Sequence, residues 1–148
     1  MEKDLVGKKS EWTFRQSAAV PIIREEGGLR TVLVTSTGTG RWGFPKGMIE
    51  RDLSPWDSAA KEAFEEAGLL GAISSEELGR WRCAKGDGSC EVTAYAMAVE
   101  TVLPEWDGMA LRQRAIVDIA VAQELLEDPA KRAILRAAAG LGAAKGGE

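Results

Sequence analysis

Apolar and polar positions change period several times along the chain, and each change marks an element. From Phe14 to Ile23 apolar residues dominate, as in a strand, with Pro21 pointing to an edge or a bulge because proline cannot donate to a ladder. Glu25-Glu-Gly-Gly28 reads as a turn into Arg30-Thr-Val-Leu-Val-Thr35, a β-branched strand. Thr37-Gly-Thr-Gly40 is a second turn. The glycines and proline of Trp42-Gly-Phe-Pro-Lys-Gly47 then keep a short apolar stretch from becoming a helix. Next comes helical spacing: Trp56, Ala59, Ala60, Ala63, Phe64 and Ala67 form one stripe. Ser54 is the N-cap, Pro55 suits the first helical position, Asp57 completes a capping-box-like pattern and pairs with Lys61, and Gly68 ends the helix. Ala72 to Ala84 and Glu91 to Val102 are two strands of a hairpin turning at Lys85-Gly-Asp-Gly-Ser89. Pro104 to Gly108 is loop, Val121 to Leu126 a short helix, and Pro129 to Ala139 a firmer one capped by Asp128. The first ten residues and the tail from Gly140 are expected to be loose. Strands around one central helix predict α/β or α+β layers in a single domain, its core at about residues 14–137.

Composition narrows the chemistry more than the fold. The chain has 148 residues and a formal net charge of -4, which argues against a broad nucleic-acid surface. No apolar run approaches the roughly 18 residues of a membrane span, and the start has no signal-peptide core, so a cytoplasmic location is the expectation. Histidine is absent, which removes Ser-His-Asp and Cys-His machinery and every His-based zinc site. Acid–base work falls to Asp, Glu, Lys, Tyr or Cys. Cys83 and Cys90 face each other across the hairpin and, in a cytosolic chain, are expected as reduced thiols.

Charge placement within the central helix is the sharpest signal. Glu62, Glu65 and Glu66 stand at i, i+3 and i+4, on one helical face. Like charges at that spacing oppose the helix by roughly 0.2–0.5 kcal/mol per pair. A divalent cation converts the repulsion into ligation, because Mg2+ and Mn2+ favour hard oxygen donors. Taken alone, the cluster is an ordinary solvated acidic face; the spacing from Gly47 and the stop at Gly68 make it a candidate metal site.

The stretch from Gly47 to Leu69 resembles the Nudix box, Gly-x5-Glu-x7-Arg-Glu-aliphatic-x-Glu-Glu-x-Gly-aliphatic, with Gly47, Glu62, Glu65, Glu66, Gly68 and Leu69 in place. Arg41-Trp-Gly-Phe-Pro-Lys-Gly47 with Ser54-Pro55 is similar to the diphosphoinositol polyphosphate and diadenosine polyphosphate hydrolase branch. The resemblance implies an α/β/α sandwich with a mixed central sheet. It also implies a Mg2+- or Mn2+-dependent pyrophosphohydrolase acting on a nucleoside diphosphate linked to another moiety, a dinucleoside polyphosphate or an inositol pyrophosphate. By that resemblance Glu62 and Glu66 are direct metal ligands, Glu65 is a ligand or water-holder, and the Gly47 carbonyl is a further donor. Glu65, Glu66 and Lys61 carry the catalytic expectation. Lys46 faces the phosphates, and Arg15, Arg24, Arg41 and Arg51 either do so or are surface charges.

Two positions depart from the pattern: its early Glu is Leu53 and its Arg is Lys61, which cannot form a bidentate fork. Asp52, Glu50 or Asp57 is then left to pair with Lys61. Glu65 is one candidate general base, whereas Glu91 and Glu100 read as exposed strand positions. The ADP-ribose branch carries a Pro, and one diadenosine tetraphosphate branch a Tyr, beyond the box; Ala84 to Gly86 has neither. The rival readings are a degenerate domain that binds a nucleotide or protein without turnover, an isomerase on the same fold, and a plain structural domain. The partner expected is a small phosphoanhydride substrate, with no nucleic acid or membrane, in a monomer or homodimer.

Overall fold

The computed structural model describes residues 13–85 and 88–146; the N-terminal segment expected to be loose and the centre of the 85–89 turn lie outside them. In chain order the elements are β1 (Thr13–Glu25), β2 (Gly28–Thr35), β3 (Trp42–Gly43), β4 (Lys46–Met48), α1 (Pro55–Ala67), β5 (Leu69–Lys85) and β6 (Gly88–Val102). A 3-10 turn (Asp107–Ala110), β7 (Arg114–Asp118), α2 (Ile119–Leu125) and α3 (Pro129–Gly146) complete them. The strands form one mixed sheet in the order β3-β2-β1-β6-β5, with β4 on β1 and β7 on β2. Only the central pair β1–β6 is parallel; the others are antiparallel.

Alternation along β1 divides the core in two. Ala19 joins Val32, Val34, Tyr95 and Met97 beneath Ala59, Ala63 and Ala67 of α1. Ala18, Val20 and Ile22 point the other way, against Ala122, Leu126, Ile134 and Leu135 of the C-terminal helices. The result is the expected α/β/α sandwich. Small alanines on the buried stripe of α1 let its backbone lie close to the sheet, which fixes the position of Glu62 and Glu66 beside that stripe.

Local signals fix α1. Ser54 accepts a hydrogen bond from the Asp57 amide at 3.0 Å, Pro55 opens the helix, and Gly68 ends it at φ 68°, a left-handed conformation that glycine adopts without a Cβ clash. Phe64, expected in the buried stripe, is instead 41% exposed; Ser58 is buried, its hydroxyl accepting from the Glu50 amide at 3.0 Å.

Pro21 is neither at an edge nor at a bulge. It is fully buried in the sheet's interior, opposite Met97. On its other side β1 pairs with β4 at Gln16–Ala18 and with β2 from Ile23, so the missing N–H falls in the gap between two partners. The sequence also hid β7, five residues between charged ends. The C-terminal helix, expected to stop at Ala139 with fraying beyond, continues to Gly146 through an alanine-rich run whose propensity outweighs its glycines. Cys83 and Cys90 are directly opposed across the β5–β6 hairpin, with Cα atoms 5.0 Å apart, and form a disulfide. The expectation of reduced thiols is thereby corrected: the ladder register puts the two sulfurs on one face.

Candidate active site

Strand β4 and the loop into α1 lie over the acidic side of the helix. Gly47 pairs with Ser17 across the β1–β4 ladder and faces Glu62. A Cβ on Gly47 would fall on the Glu62 carboxylate, so glycine is what lets that carboxylate reach the strand. Glu66, one turn on, accepts from the Lys46 amide at 3.1 Å and pairs with Arg112 at 3.2 Å; its side chain is only 14% exposed. Glu62 and Glu66 lie one turn apart and close enough for each to perturb the other's ionisation. Burial, then the nearby charges of Glu66 and Glu65, raise the Glu62 carboxyl from 4.5 to about 7. Burial also raises Glu66, against the lowering effect of Arg112 and the Lys46 amide.

Glu65 does not join this pair. Its carboxylate turns to Lys61, 3.9 Å away, and the expected three-acid cluster is in the structure a pair with a neighbour. Among the described residues no three acids lie close enough to surround an ion as they stand. Lys61 itself donates to Glu50 at 2.6 Å, an interaction that raises its pKa; Glu50, rather than Asp52 or Asp57, is the partner taken in place of the missing early Glu. This pair ties the loop between β4 and α1 to the helix.

The donor set nevertheless suits a divalent cation. Two hard carboxylates lie close enough to repel each other, and a cation would relieve that repulsion. Ser17 Oγ, buried and without a hydrogen-bond partner among the described residues, sits in the ladder opposite Gly47. It is a polar atom left for a ligand or its water shell. Glu62, Glu66 and the Gly47 carbonyl are the residues that would hold the ion.

The expected substrate contacts separate. Lys46 straddles the sheet: its amide serves Glu66, while its side chain reaches Gln16 Oε1 at 3.3 Å and lines a cavity of about 420 Å³. Arg41 lines the same cavity and pairs with Glu127 at 3.7 Å. Arg15 is exposed and falls by alternation on the α1 face with Ser17 and Ala19, away from that cavity. Glu91 is engaged with Arg80 at 3.3 Å, and Glu100 lines a separate groove, so neither approaches the acidic pair.

Two arginines escaped the sequence. Arg112 bridges Glu66 and the Thr35 carbonyl (3.1 Å), and Arg114 holds the Ala67 and Leu103 carbonyls at 2.9 and 2.8 Å while stacking on Trp106. Both come from the segment around the 3-10 turn, where no motif marks them; only the fold brings that segment against the end of α1. Gly108 in that turn packs so tightly on Glu65 and Glu66 that a Cβ would lie 2.9 Å from the Glu65 carbonyl.

Fold and site together define an α/β/α sandwich with a carboxylate pair on one helix, closed by a glycine of the neighbouring strand. Residues 13–131 match the NUDIX domain family, and the chain belongs to it. It is 36% identical over 100 residues to Nudix hydrolase 17, mitochondrial, of Arabidopsis thaliana, covering 66% of this chain and 54% of that protein. It is 30% identical over 95 residues to diphosphoinositol polyphosphate phosphohydrolase 3-beta of Bos taurus, covering 64% and 57%. Its fold is similar to that of a C. elegans Ap4A hydrolase in a binary complex, with a TM-score of 0.64 and 15% identity over 91% of this chain and 99% of that one. The chain spans about half the length of the curated relatives it matches first, 54% in two of them.

Proposed function

We propose that this chain is a Mg2+- or Mn2+-dependent pyrophosphohydrolase that cleaves a phosphoanhydride in a nucleoside diphosphate derivative, a dinucleoside polyphosphate or an inositol pyrophosphate. The observation that carries this reading is the Glu62 carboxylate seated against Gly47, with Glu66 held beside it by the Lys46 amide and Arg112. When bound, the cation supplies positive charge against the phosphate oxygens and lowers the pKa of water. Glu62 and Glu66 would hold it as carboxylates, with the Gly47 carbonyl as a further donor. The Lys46 amide and Arg112 fix the Glu66 carboxylate, so ligation needs little rearrangement. Lys61 holds the loop through Glu50 and leaves Glu65, 40% exposed, beside the pair as the residue that accepts a proton from the attacking water. Lys46 Nζ, on the other side of its own backbone, neutralises a phosphate of the substrate. Mg2+ is the ion expected in a cytosolic enzyme, and cell fractionation tests that location.

The test is release of phosphate and nucleotide from diadenosine polyphosphates, ADP-ribose, nucleoside triphosphates and an inositol pyrophosphate, with metal and with chelator. Metal-dependent turnover that Glu66→Gln abolishes is the expected result. Metal binding without turnover of any substrate would replace it with a binding domain that has lost catalysis.

A further inference from the structure

On the face of the sheet opposite the carboxylate pair, the cavity of about 420 Å³ is lined by three cationic side chains, Arg41, Lys46 and Lys131, against two acids, Glu127 and Asp128. The cations come from three places in the chain: the β2–β3 loop, β4 and the first turn of α3. Both acids are already engaged. Glu127 pairs with Arg41 at 3.7 Å, and Asp128 caps α3 through the Ala130 amide at 2.9 Å. Lys131 is different. It is half-buried, and among the described residues it forms no ion pair and no hydrogen bond. Its Nζ lies 5.2 Å from the centre of the Trp81 ring and would meet a Cβ on Gly43 at 3.7 Å. Burial, then the charge of Arg41, lowers its pKa, against Asp128. An ammonium with three donors, held from water and facing a cationic cavity, calls for an anion.

The aromatic walls argue against a nucleobase here. Trp81 is 6% exposed, with Lys131 over its ring and Phe44 at 6.1 Å, so it presents no open face for stacking. Lys46 links the cavity to the carboxylate pair, with its amide on one and its side chain on the other. A substrate whose anhydride lies over Glu62 and Glu66 therefore extends past Lys46 into the cavity.

We infer that Lys131 is a specificity-determining residue: with Arg41 and Lys46 it holds a phosphate group that the substrate carries beyond the anhydride being cleaved. The inference rests on the proposed hydrolase for its kinetic part only. The enzyme selects substrates whose remote part is itself phosphorylated over those ending in a bare sugar or base. The chemistry required, clustered phosphate oxygens, is supplied by a phosphorylated ring or by a longer linear phosphate chain.

The experiment titrates the full chain, in chelator, with inositol hexakisphosphate, with linear hexaphosphate and with inorganic phosphate, following heat by calorimetry and tryptophan emission. Lys131→Ala and the longer Lys131→Gln should each weaken hexakisphosphate or hexaphosphate binding about tenfold to a hundredfold, the value of one charge-assisted contact, while Lys131→Arg largely retains it. Whichever ligand the wild type binds tighter identifies the ring or the chain. Equal affinity in wild type, Lys131→Ala and Lys131→Gln would overturn the inference, as would loss only in variants whose Tm has collapsed. In turnover, Lys131→Gln should raise KM at near-constant kcat for substrates with a remote phosphate and leave ADP-ribose unaffected. Anion binding that depends on Lys131 in a chain without hydrolysis would sink the hydrolase and keep the inference; hydrolysis indifferent to Lys131 would do the reverse.

Discussion

Raising the pH should tighten Mn2+ binding to this protein over a range where ordinary carboxylates have finished titrating. The cause is Glu62, whose carboxyl is lifted from 4.5 to about 7 by burial and by Glu66 and Glu65. A cation must displace the proton that the raised Glu62 carboxyl holds. At a pKa of about 7 the carboxyl is about 3% ionised at pH of about 5.5 and about 76% at pH of about 7.5, a gain of about 25-fold. Solvent reaches part of the group and reduces that gain, whereas an unshifted Glu would give about 1.1-fold. The same shift sets the stability of the metal-free protein. Between pH 4.5 and about 7 the folded state holds a proton that the unfolded state has lost, so stability falls as pH rises through that window. The full shift corresponds to about 3.4 kcal/mol, which screening at a half-exposed carboxyl reduces to about 1 kcal/mol. Calorimetry of Mn2+ binding in buffers of different ionisation enthalpy reads the proton release, and denaturant unfolding in chelator reads the stability. Glu62→Gln should flatten the stability slope. Affinity constant over that pH range, or metal-free stability that rises across it, would refute the reasoning.

Gly47→Ala should abolish metal affinity, because its Cβ would occupy the position of the Glu62 carboxylate, while circular dichroism stays native. Lys61→Ala should weaken metal affinity about tenfold by releasing the β4–α1 loop from Glu50, with Lys61→Arg close to wild type. Protein purified without reductant should show no titratable thiol on denaturation and two after reduction. Opening that link between residues separated by 7 in sequence should cost about 2 kcal/mol in unfolding free energy.

What the sequence made legible was local. Ser54, Pro55 and Gly68 bound α1 because caps act within one turn, and Gly47 and the acids of α1 stand in a motif whose spacing is itself the signal. What it hid depends on residues remote in sequence. Pro21 is tolerated in the interior because β1 exchanges one neighbour for another there, which no local rule contains. Glu62, Glu65 and Glu66 are equivalent by helical spacing, and only Lys61, taken up by Glu50, draws Glu65 aside. Arg112 and Arg114 lie in a segment with no pattern, and Lys131 in a helix whose own spacing does not say what it packs on; their positions follow from the 3-10 turn and the start of α3 packing against the sheet.

Strand β4 is three residues long, yet it presents an amide to the acids on one face and an ammonium to the cavity on the other. Side chains alternate along a strand, so one residue inserted or deleted within Lys46–Met48 would exchange those faces. Glu62 would meet a side chain where it now meets glycine, and the cavity would lose a charge in the same event. Descendants of this chain can therefore vary the length of the flanking loops but not the count across this strand. A change of substrate has to come by replacing cavity side chains one at a time, because any shift of frame would disable the hydrolytic side together with the selective one.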